Sequence, residues 1–338
     1  MKPGMKTRIC ALFLIIVMLL GITACGGGGA KTSDNELEDF DIVLDWYPNA
    51  IHAFLYAAIE NGYFEEEGLK VNILFPANPN DGISMPAAGK ADLGIYYLQD
   101  SIAAKYNEDV PIVCVGALLQ KSMNIVLSLK EKNINSPEDL IGKTVGYAGT
   151  ALSEAQIEAN MEHVGASIKD IEFVDVGFDL LTATTTGKVD ATIGSMVNHE
   201  VPQLEEQGFD VNYFFPTKYG VPEYYKLVLL AGEDAVKNNP EKLQKFLRAA
   251  QKGYEFTKEN QEEALQILLA HQNAENFPLS ETVEKKSLEI LLPAMETENA
   301  AFLSQDVKVW QESADWMTER NILDKKVDCS DIVIDLLK

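Results

Sequence analysis

The chain has 338 residues, of which 46% are hydrophobic and 24% are charged, a composition typical of one large or two medium globular domains. Its formal net charge of −24 at pH 7 argues against a basic face that binds nucleic acid or an anionic membrane. The charge does not identify a ligand, because excess surface carboxylate mainly keeps a protein soluble.

The amino-terminal segment has the features of an export signal. Basic residues in the first ten positions precede an unbroken apolar run over residues 11–20, which is too short to span a bilayer as a helix. The run ends in Ile-Thr-Ala-Cys, which resembles the lipobox of bacterial lipoproteins and implies cleavage before Cys25 and a lipid on its sulfur. Residues 1–24 are therefore predicted to be a lipoprotein signal peptide. Residues 25–38 are predicted to be the lipidated cysteine and a flexible tether. Ordinary secretion with a chance cysteine is the alternative.

Two cysteines lie beyond the predicted tether. Cys114 stands inside an apolar strand pattern over residues 111–115, where a buried free thiol is the simplest interpretation. A disulfide between Cys114 and Cys329 is also possible outside the cytoplasm, and the sequence does not decide between the two.

The first predicted strand ends in a loop rich in aromatic and polar side chains. Apolar residues over 42–44 predict a strand, and apolar residues at helical spacing over 54–59 predict a helix. The loop between them follows the carboxyl end of the strand, where ligands bind in open α/β sheets. Trp46 offers a flat face there, and Asn49 and His52 offer hydrogen-bonding groups. A proline turn with core aromatics is the alternative.

Strands and helices alternate from residue 39 to about residue 221, which predicts largely parallel sheets with helices on both faces. After one more strand the chain shows only helical patterns, and we expect this tail to pack on the first lobe. The prediction is an α/β fold of two lobes with a hinge. Residues 39–125 and 222–338 form lobe 1, and residues 126–221 form lobe 2.

The cleft between two such lobes is the predicted ligand site. Its loops hold aromatic, amide and a few carboxylate groups, which suit a flat, polar, mostly uncharged heterocycle. We predict that Trp46 and one tyrosine, either Tyr97 or Tyr225, sandwich this ring. The other predicted ligand-binding side chains are polar: Asn49, His52, Gln120, Thr150, Asn198 and Glu200.

Glu200 also has a purely structural interpretation, as an acid in the first turn of a helix that begins near Asn198. The sequence contains no C-x-x-C, H-E-x-x-H, G-x-x-x-x-G-K-[ST] or G-x-S-x-G motif. Motifs for catalysis and for metal binding are therefore scarce. We expect no cofactor and no metal site, and the expectation that the chain is not an enzyme depends on the resemblance described next.

Three segments carry a family resemblance: Leu-Asp-Trp-Tyr-Pro-Asn at 44–49, Glu-Asn-Gly-Tyr-Phe-Glu-Glu-Glu-Gly-Leu at 60–69, and Gly-Lys-Ala-Asp-Leu-Gly at 89–94. Together with Asn-His-Glu at 198–200 and Tyr-Gly-Val-Pro at 219–222, they resemble the thiamine-pyrimidine family of periplasmic-type binding proteins. The resemblance covers residues 40 to about 260 and implies a periplasmic-binding-protein-like fold. It also implies a lipid-anchored, extracytoplasmic, monomeric solute-binding component of an ABC importer. Such a protein captures hydroxymethylpyrimidine or formylaminopyrimidine by hinge closure and delivers it to a permease with its ATPase.

The same resemblance leaves other functions to be weighed. Related proteins bind riboflavin, sulfonates or nitrate, so the same transport role with another ligand is the first alternative. The family also includes hydroxymethylpyrimidine phosphate synthases, which use pyridoxal phosphate on a lysine and consume their own histidine. In that register this chain has Tyr96 and Asp100, and it lacks their cysteine-rich iron motif, so a synthase is disfavoured. Two further alternatives are a lipid-anchored enzyme that uses the same cleft and a surface adhesin or structural lipoprotein that binds no small molecule.

Overall fold

The computed structural model describes residues 37–177, 179–272, 275 and 277–338. The predicted signal peptide, Cys25 and most of the predicted tether lie outside the described residues. Within the described ranges, no helix is both long enough and apolar enough to cross a membrane.

The described residues contain ten strands, which form two five-stranded sheets. In chain order they are β1 (Glu38–Val43), β2 (Leu69–Leu74), β3 (Leu93–Tyr97), β4 (Ile112–Ala117), β5 (Asn124–Leu129), β6 (Thr144–Tyr147), β7 (Glu172–Asp175), β8 (Ala191–Met196), β9 (Val211–Phe214) and β10 (Leu227–Gly232). The first sheet has the order β2-β1-β3-β10-β4 and the second has the order β7-β6-β8-β5-β9. We call the first sheet with its helices lobe 1 and the second sheet with its helices lobe 2.

The α-helices of the described residues cover the sheets and form the tail. They are α1 (Ala53–Glu60), α2 (Tyr63–Glu66), α3 (Asp81–Ala87), α4 (Leu98–Asn107), α5 (Ala151–His163), α6 (Leu180–Thr185), α7 (Glu200–Glu206), α8 (Glu233–Asn238), α9 (Pro240–Glu259), α10 (Gln261–Ala270), α11 (Glu281–Met295) and α12 (Val307–Glu319). The two-lobe α/β architecture predicted from the alternating pattern is confirmed.

The sheets are mixed rather than largely parallel. β1, β2 and β3 are parallel to one another, as are β6, β7 and β8. However, β10 is antiparallel to β3 and β4, and β5 is antiparallel to β8 and β9. The expectation of parallel sheets was wrong for β5 and β10 because each enters its sheet directly from the other lobe. No crossover helix precedes these strands to return the chain to the same end of the sheet.

The helical tail packs on lobe 1, as predicted. The long helix α9 lies against α1, and a Cβ atom on Gly253 would come within 2.2 Å of the carbonyl oxygen of Phe54. Only glycine permits this close approach of the two helices. Phe246, also on α9, stacks on Phe40 of β1 with ring centroids 4.5 Å apart, so the tail completes the hydrophobic core of lobe 1.

The carboxyl-terminal segment covers the outer edge of β4. The amide of Cys114 donates to the carbonyl of Ile332 at 2.7 Å, and the amide of Ile334 donates back to the carbonyl of Cys114 at 2.9 Å. This pairing explains how an edge strand can be fully apolar and buried. Cys114 and Cys329 are both buried free thiols, so the disulfide alternative is not formed.

Candidate functional site

A cavity of about 510 Å³ lies between the two lobes, a size usual for sites that bind small molecules. Its walls come from the β1–α1 loop, the end of β3, the β8–α7 segment, the start of β10 and the loop before α11. The lining residues are Asp45, Trp46, Tyr47, Pro48, Asn49, Ile51, Tyr97, Gly194, Met196, Asn198, His199, Glu200, Gln203, Lys226, Phe277, Pro278 and Leu279. Both lobes therefore contribute side chains to one space.

The β1–α1 loop is held in shape by its own hydrogen bonds. Asn49 precedes a short 3₁₀ turn as its N-cap residue. Its side-chain oxygen accepts from the backbone amide of Ile51 at 3.0 Å, and its own backbone amide donates to Nδ1 of His52 at 3.3 Å. His52 Nε2 lies 3.0 Å from Oδ1 of Asp45. A neutral imidazole with its proton on Nε2 satisfies both contacts. His52 is fully buried and does not line the cavity, so it shapes the loop from beneath, in contrast to its predicted role as a ligand-binding group.

Trp46 stands out from this loop with 58% of its surface exposed. Its indole meets Tyr47 edge-on, with ring centroids 5.8 Å apart. Tyr47 in turn stacks on Phe277 from the loop before α11. Tyr47 thus packs against Trp46 at the cavity wall, and more than half of the Trp46 surface stays accessible to a flat ligand.

Helix α11 lies beneath two segments that line the cavity, the β1–α1 loop of lobe 1 and the β8–α7 segment of lobe 2. We call these two segments the ligand loops. Glu284 is buried and accepts a hydrogen bond at 2.7 Å from the amide of Ala50 in the lobe 1 loop. Burial raises the pKa of the Glu284 carboxyl. One helical turn further on, Ser287 Oγ accepts from Asn198 Nδ2 of lobe 2 at 3.1 Å. A single helix therefore contacts the ligand loops of both lobes.

Lobe 2 contributes amide, imidazole and carboxylate groups. Glu200 Oε2 accepts from the amide of Met196 at 2.7 Å, and Glu200 Oε1 lies 3.4 Å from His199 Nδ1. The hydrogen bond to Glu200 raises the pKa of His199. Asn198 and Glu200 lie in the cavity wall, as the ligand-site prediction requires. The structural interpretation of Glu200 also applies, since it is the first residue of α7 and binds a backbone amide ahead of that helix.

Lys226, at the crossing into β10, brings an ammonium group to the cavity. Its Nζ lies 4.4 Å from the centroid of the Tyr97 ring, within the range of a cation–π contact. Loss of hydration lowers the pKa of Lys226, while Asp100, Asp45 and Glu200 act in the opposite direction. The lysine covers one face of Tyr97, so a ligand that stacks on this ring would have to use the opposite face, and the sandwich with Trp46 stays a prediction.

Besides His52, three other predicted ligand-binding residues are not among those that line this cavity. Gln120 Nε2 donates to the carbonyls of Ala301 and Ser304, on the lobe 1 side of the crossing. Thr150 caps α5, where its hydroxyl accepts from the amide of Ser153 at 3.2 Å.

Tyr225 is buried, and its hydroxyl accepts from the amide of Asp306 at 2.9 Å. All three side chains serve as caps or braces of the backbone. No residue of the loops around Gln120 and Thr150 lines the cavity, whereas Lys226, the neighbour of Tyr225, does.

Sequence reasoning also missed several residues of the site. Lys226 carried a usable signal, because it is a charged residue immediately before a fully apolar strand. Phe277 and Glu284 belong to the helical tail, which has no recognisable site pattern of its own. In the described ranges, no group of three or more His, Cys, Asp or Glu side chains is placed to hold a metal ion.

Comparison with known proteins shows which proteins the chain is similar to. The sequence profile described as NMT1/THI5 like matches residues 49–264. The formylaminopyrimidine-binding protein of Halalkalibacterium halodurans is 43% identical over 321 residues, which cover 94% of this chain and 97% of that protein. The 4-amino-5-hydroxymethyl-2-methylpyrimidine phosphate synthase THI13 of Saccharomyces cerevisiae is 32% identical, over 63% of this chain and 65% of its own length.

Solved structures share the fold at lower sequence identity. The periplasmic aliphatic sulphonate binding protein SsuA from Escherichia coli superposes with a TM-score of 0.69 at 18% identity, covering 87% of this chain and 97% of that chain. At this identity the likeness shows the periplasmic-binding-protein fold and not the ligand.

Proposed function

The chain belongs to the NMT1/THI5-like family, and from that premise we propose that it is the solute-binding component of an importer for a thiamine-precursor pyrimidine. Formylaminopyrimidine is the preferred candidate, because the relative that matches 94% of the chain is a binding protein for that compound. Hydroxymethylpyrimidine is the second candidate within the same class.

The observation that carries this proposal is an accessible indole facing polar groups of the other lobe across one cavity. Trp46 on lobe 1 supplies the flat apolar face that a pyrimidine ring requires. Glu200 on lobe 2 keeps unused acceptor capacity beyond its contacts to Met196 and His199, and so can accept from an exocyclic amine. The buried Oδ1 of Asn198 has no partner among the described residues, which makes it a second acceptor for the same ligand edge.

The two crossings of the chain between the lobes support a hinge-closing motion. It passes from β4 to β5 and returns from β9 to β10, and Glu223 on the return crossing accepts from the amide of Ser122 on the first. A ligand that contacts both lobes favours the closed form only through its higher affinity for that form. We therefore propose a closing motion of residues 39–125 and 222–338 against residues 126–221, with the difference that β5 places Asn124 and Ile125 in lobe 2.

The cellular setting is the part of the proposal that depends on the amino terminus. A lipid on Cys25 would hold the protein at the outer face of the cell membrane, where a permease and its ATPase receive the loaded form. This setting is supported by the lipobox-like sequence, which lies outside the described residues.

The expectation that the chain is not an enzyme is confirmed by the comparisons. The binding-protein relative matches nearly the whole chain, whereas the yeast synthase matches 63% of it at lower identity. The residues here are also unsuited to the synthase chemistry. Tyr96 stands in the register of the cofactor lysine, and its hydroxyl donates to Asn80.

A panel of ligands tests the proposal on the full chain. Thermal unfolding and calorimetric titration would be measured with formylaminopyrimidine, hydroxymethylpyrimidine, riboflavin, an alkanesulfonate and nitrate. Ligand at a hundredfold excess over its dissociation constant adds about 2.7 kcal/mol to the free energy of unfolding. A stabilisation by the pyrimidines alone supports the proposal, and stabilisation by another compound with none by the pyrimidines contradicts it.

A further inference from the structure

The cavity contains one strongly basic side chain among its described lining residues, and that side chain is Lys226. Its Nζ is placed over Tyr97 at the boundary between the lobes. No carboxylate oxygen of the described residues lies within ion-pairing distance of 4.0 Å from this group. The ammonium therefore keeps hydrogen-bond donors without a charged protein partner, at the wall of the space that a ligand would fill.

An ammonium group in this position is costly to enclose. When a ligand excludes water from the cavity, each donor without an acceptor loses its hydration and gains nothing in return. The aromatic face of Tyr97 compensates for part of this loss. A ligand that presents an oxygen acceptor to Nζ would compensate for the rest, so the lysine sets a requirement on ligand chemistry.

The charges around Lys226 restrict the acceptor further. Asp45 and Glu200 line the same cavity as Lys226, and with Asp100 they are the carboxylates that act electrostatically on its ammonium group. A fully anionic ligand group such as a sulfonate or a phosphate would meet this acidic surround and be repelled. A fully cationic group would meet the ammonium itself. A neutral carbonyl oxygen avoids both conflicts.

We propose that Lys226 is a specificity-determining residue that donates a hydrogen bond to a neutral carbonyl oxygen on the ligand's substituent and disfavours an ammonium at that position. This proposal rests on the proposed function, since it concerns the same cavity and a pyrimidine ligand. For formylaminopyrimidine the acceptor is the formamido oxygen. In the aminomethyl form of this compound the formylated nitrogen is bonded to a saturated carbon. Removal of the formyl group then leaves an alkylamine, which is protonated at neutral pH and which Lys226 would repel.

The test is a ratio of affinities, because a structural defect lowers both affinities together and leaves the ratio unchanged. Dissociation constants for formylaminopyrimidine and for its deformylated amine would be measured by calorimetry at pH 7 on the full chain. The variants are Lys226→Met, which removes the charge, and Lys226→Arg, which keeps it. Lys188→Met is the matched control, because Lys188 is exposed and lies outside the cavity.

In the wild type, and in the Lys188→Met control, we expect the formylated compound to bind at least 10-fold more tightly than the amine. In Lys226→Met this ratio should fall at least 10-fold, through weaker binding of the formylated compound and tighter binding of the amine. Lys226→Arg should retain most of the ratio, and it keeps the test decisive if the methionine variant does not fold.

A ratio that is unchanged in Lys226→Met overturns the role of Lys226 and leaves the proposed function standing. An alkanesulfonate that binds through Lys226 also overturns the neutral-carbonyl assignment. A wild type that binds neither pyrimidine is a failure of the proposed function itself, and this result differs from the other two.

Discussion

His52 Nε2 and Asp45 Oδ1 meet at 3.0 Å beneath the ligand loop, with His52 fully buried and only 6% of the Asp45 side chain exposed. The other ring nitrogen of His52 accepts from the amide of Asn49, so the imidazole links two points of the loop that carries Trp46. Buried hydrogen bonds of this kind fix a loop because both side chains have lost their hydration and would leave unpaired groups if the bonds were broken.

Replacement of His52 by alanine should therefore lower the free energy of unfolding by about 2–4 kcal/mol, from the lost volume and the unpaired groups of Asp45 and Asn49. The matched control is His271→Ala, which removes an exposed contact between His271 Nε2 and Glu60 and should cost no more than about 1 kcal/mol. Urea denaturation of both variants gives the comparison. Equal losses of stability would contradict the bracing role of His52.

Trp46 should behave in the opposite way, because it is exposed and its side chain supports little of the core. Trp46→Ala should leave the free energy of unfolding within about 0.5 kcal/mol of the wild type. It should weaken pyrimidine binding by about 10- to 100-fold, through lost stacking and lost apolar contact. Tyr213→Ala is the control, since Tyr213 is a similarly exposed aromatic on β9 outside the cavity. Calorimetric titration that finds full affinity in Trp46→Ala would remove the central contact of the proposed site.

The contrast between Trp46 and His52 shows which features of the site could be predicted from the sequence. The alternation of strands and helices placed both residues in the first strand-end loop, which the structure confirms. The pattern could not show that one side chain points out of the loop and the other points under it. That choice depends on the buried contact to Asp45 and on the stack between Tyr47 and Phe277, a residue more than 200 positions away.

The same limit explains why the lobe architecture was more predictable than the site. The two lobes follow from local periodicity, and each element reports its own type. The site depends on tertiary contacts such as that between Glu284 and Ala50, whose partners come from opposite ends of the chain. The antiparallel entry of β10 was unpredictable for a related reason, since strand direction is set by the path between lobes and not by the composition of the strand.

Glu284 provides a test of the contact between α11 and the ligand loop. Glu284→Ala leaves the buried amide of Ala50 without an acceptor and should lower the free energy of unfolding by about 1–3 kcal/mol. Glu284→Gln keeps an acceptor and removes a buried charge, so it should be more stable than the alanine variant. Chemical denaturation of the pair at pH 7 measures the difference. If the two variants are equally stable, the hydrogen bond to Ala50 does not hold the loop.

The pH dependence of the same pair follows from the raised pKa of Glu284. A carboxyl with a higher pKa in the folded state contributes stability that is fully present below its unfolded value of 4.5 and is lost as the pH rises through the folded value. Glutamine does not titrate. The stability of Glu284→Gln relative to the wild type should therefore increase as the pH rises from 4.5 towards neutrality, and a constant difference over that range would contradict the burial argument.

His199 gives a second pH-dependent prediction, which applies to a different pH range. Its hydrogen bond to Glu200 raises its pKa above the usual 6.5, with Glu284 as a further acidic neighbour. The protonated imidazole therefore contributes stability that is fully present below pH 6.5 and is lost as the pH rises through the folded value. Since 41% of the His199 side chain is exposed, solvent screening should limit the effect to less than about 1 kcal/mol.

The measurement is the difference in unfolding free energy between the wild type and His199→Gln at a series of pH values from 5.5 to about 8.5. This difference should favour the wild type at the acidic end and shrink towards the basic end. His163→Gln is the control, because His163 lies at the carboxyl end of α5, away from the cavity, and packs edge-on against Tyr219. A difference for His199→Gln that grows with rising pH would mean that the folded state favours the neutral imidazole. The ion pair with Glu200 would then not form in solution, and Glu200 would be free to bind a ligand amine without competition from His199.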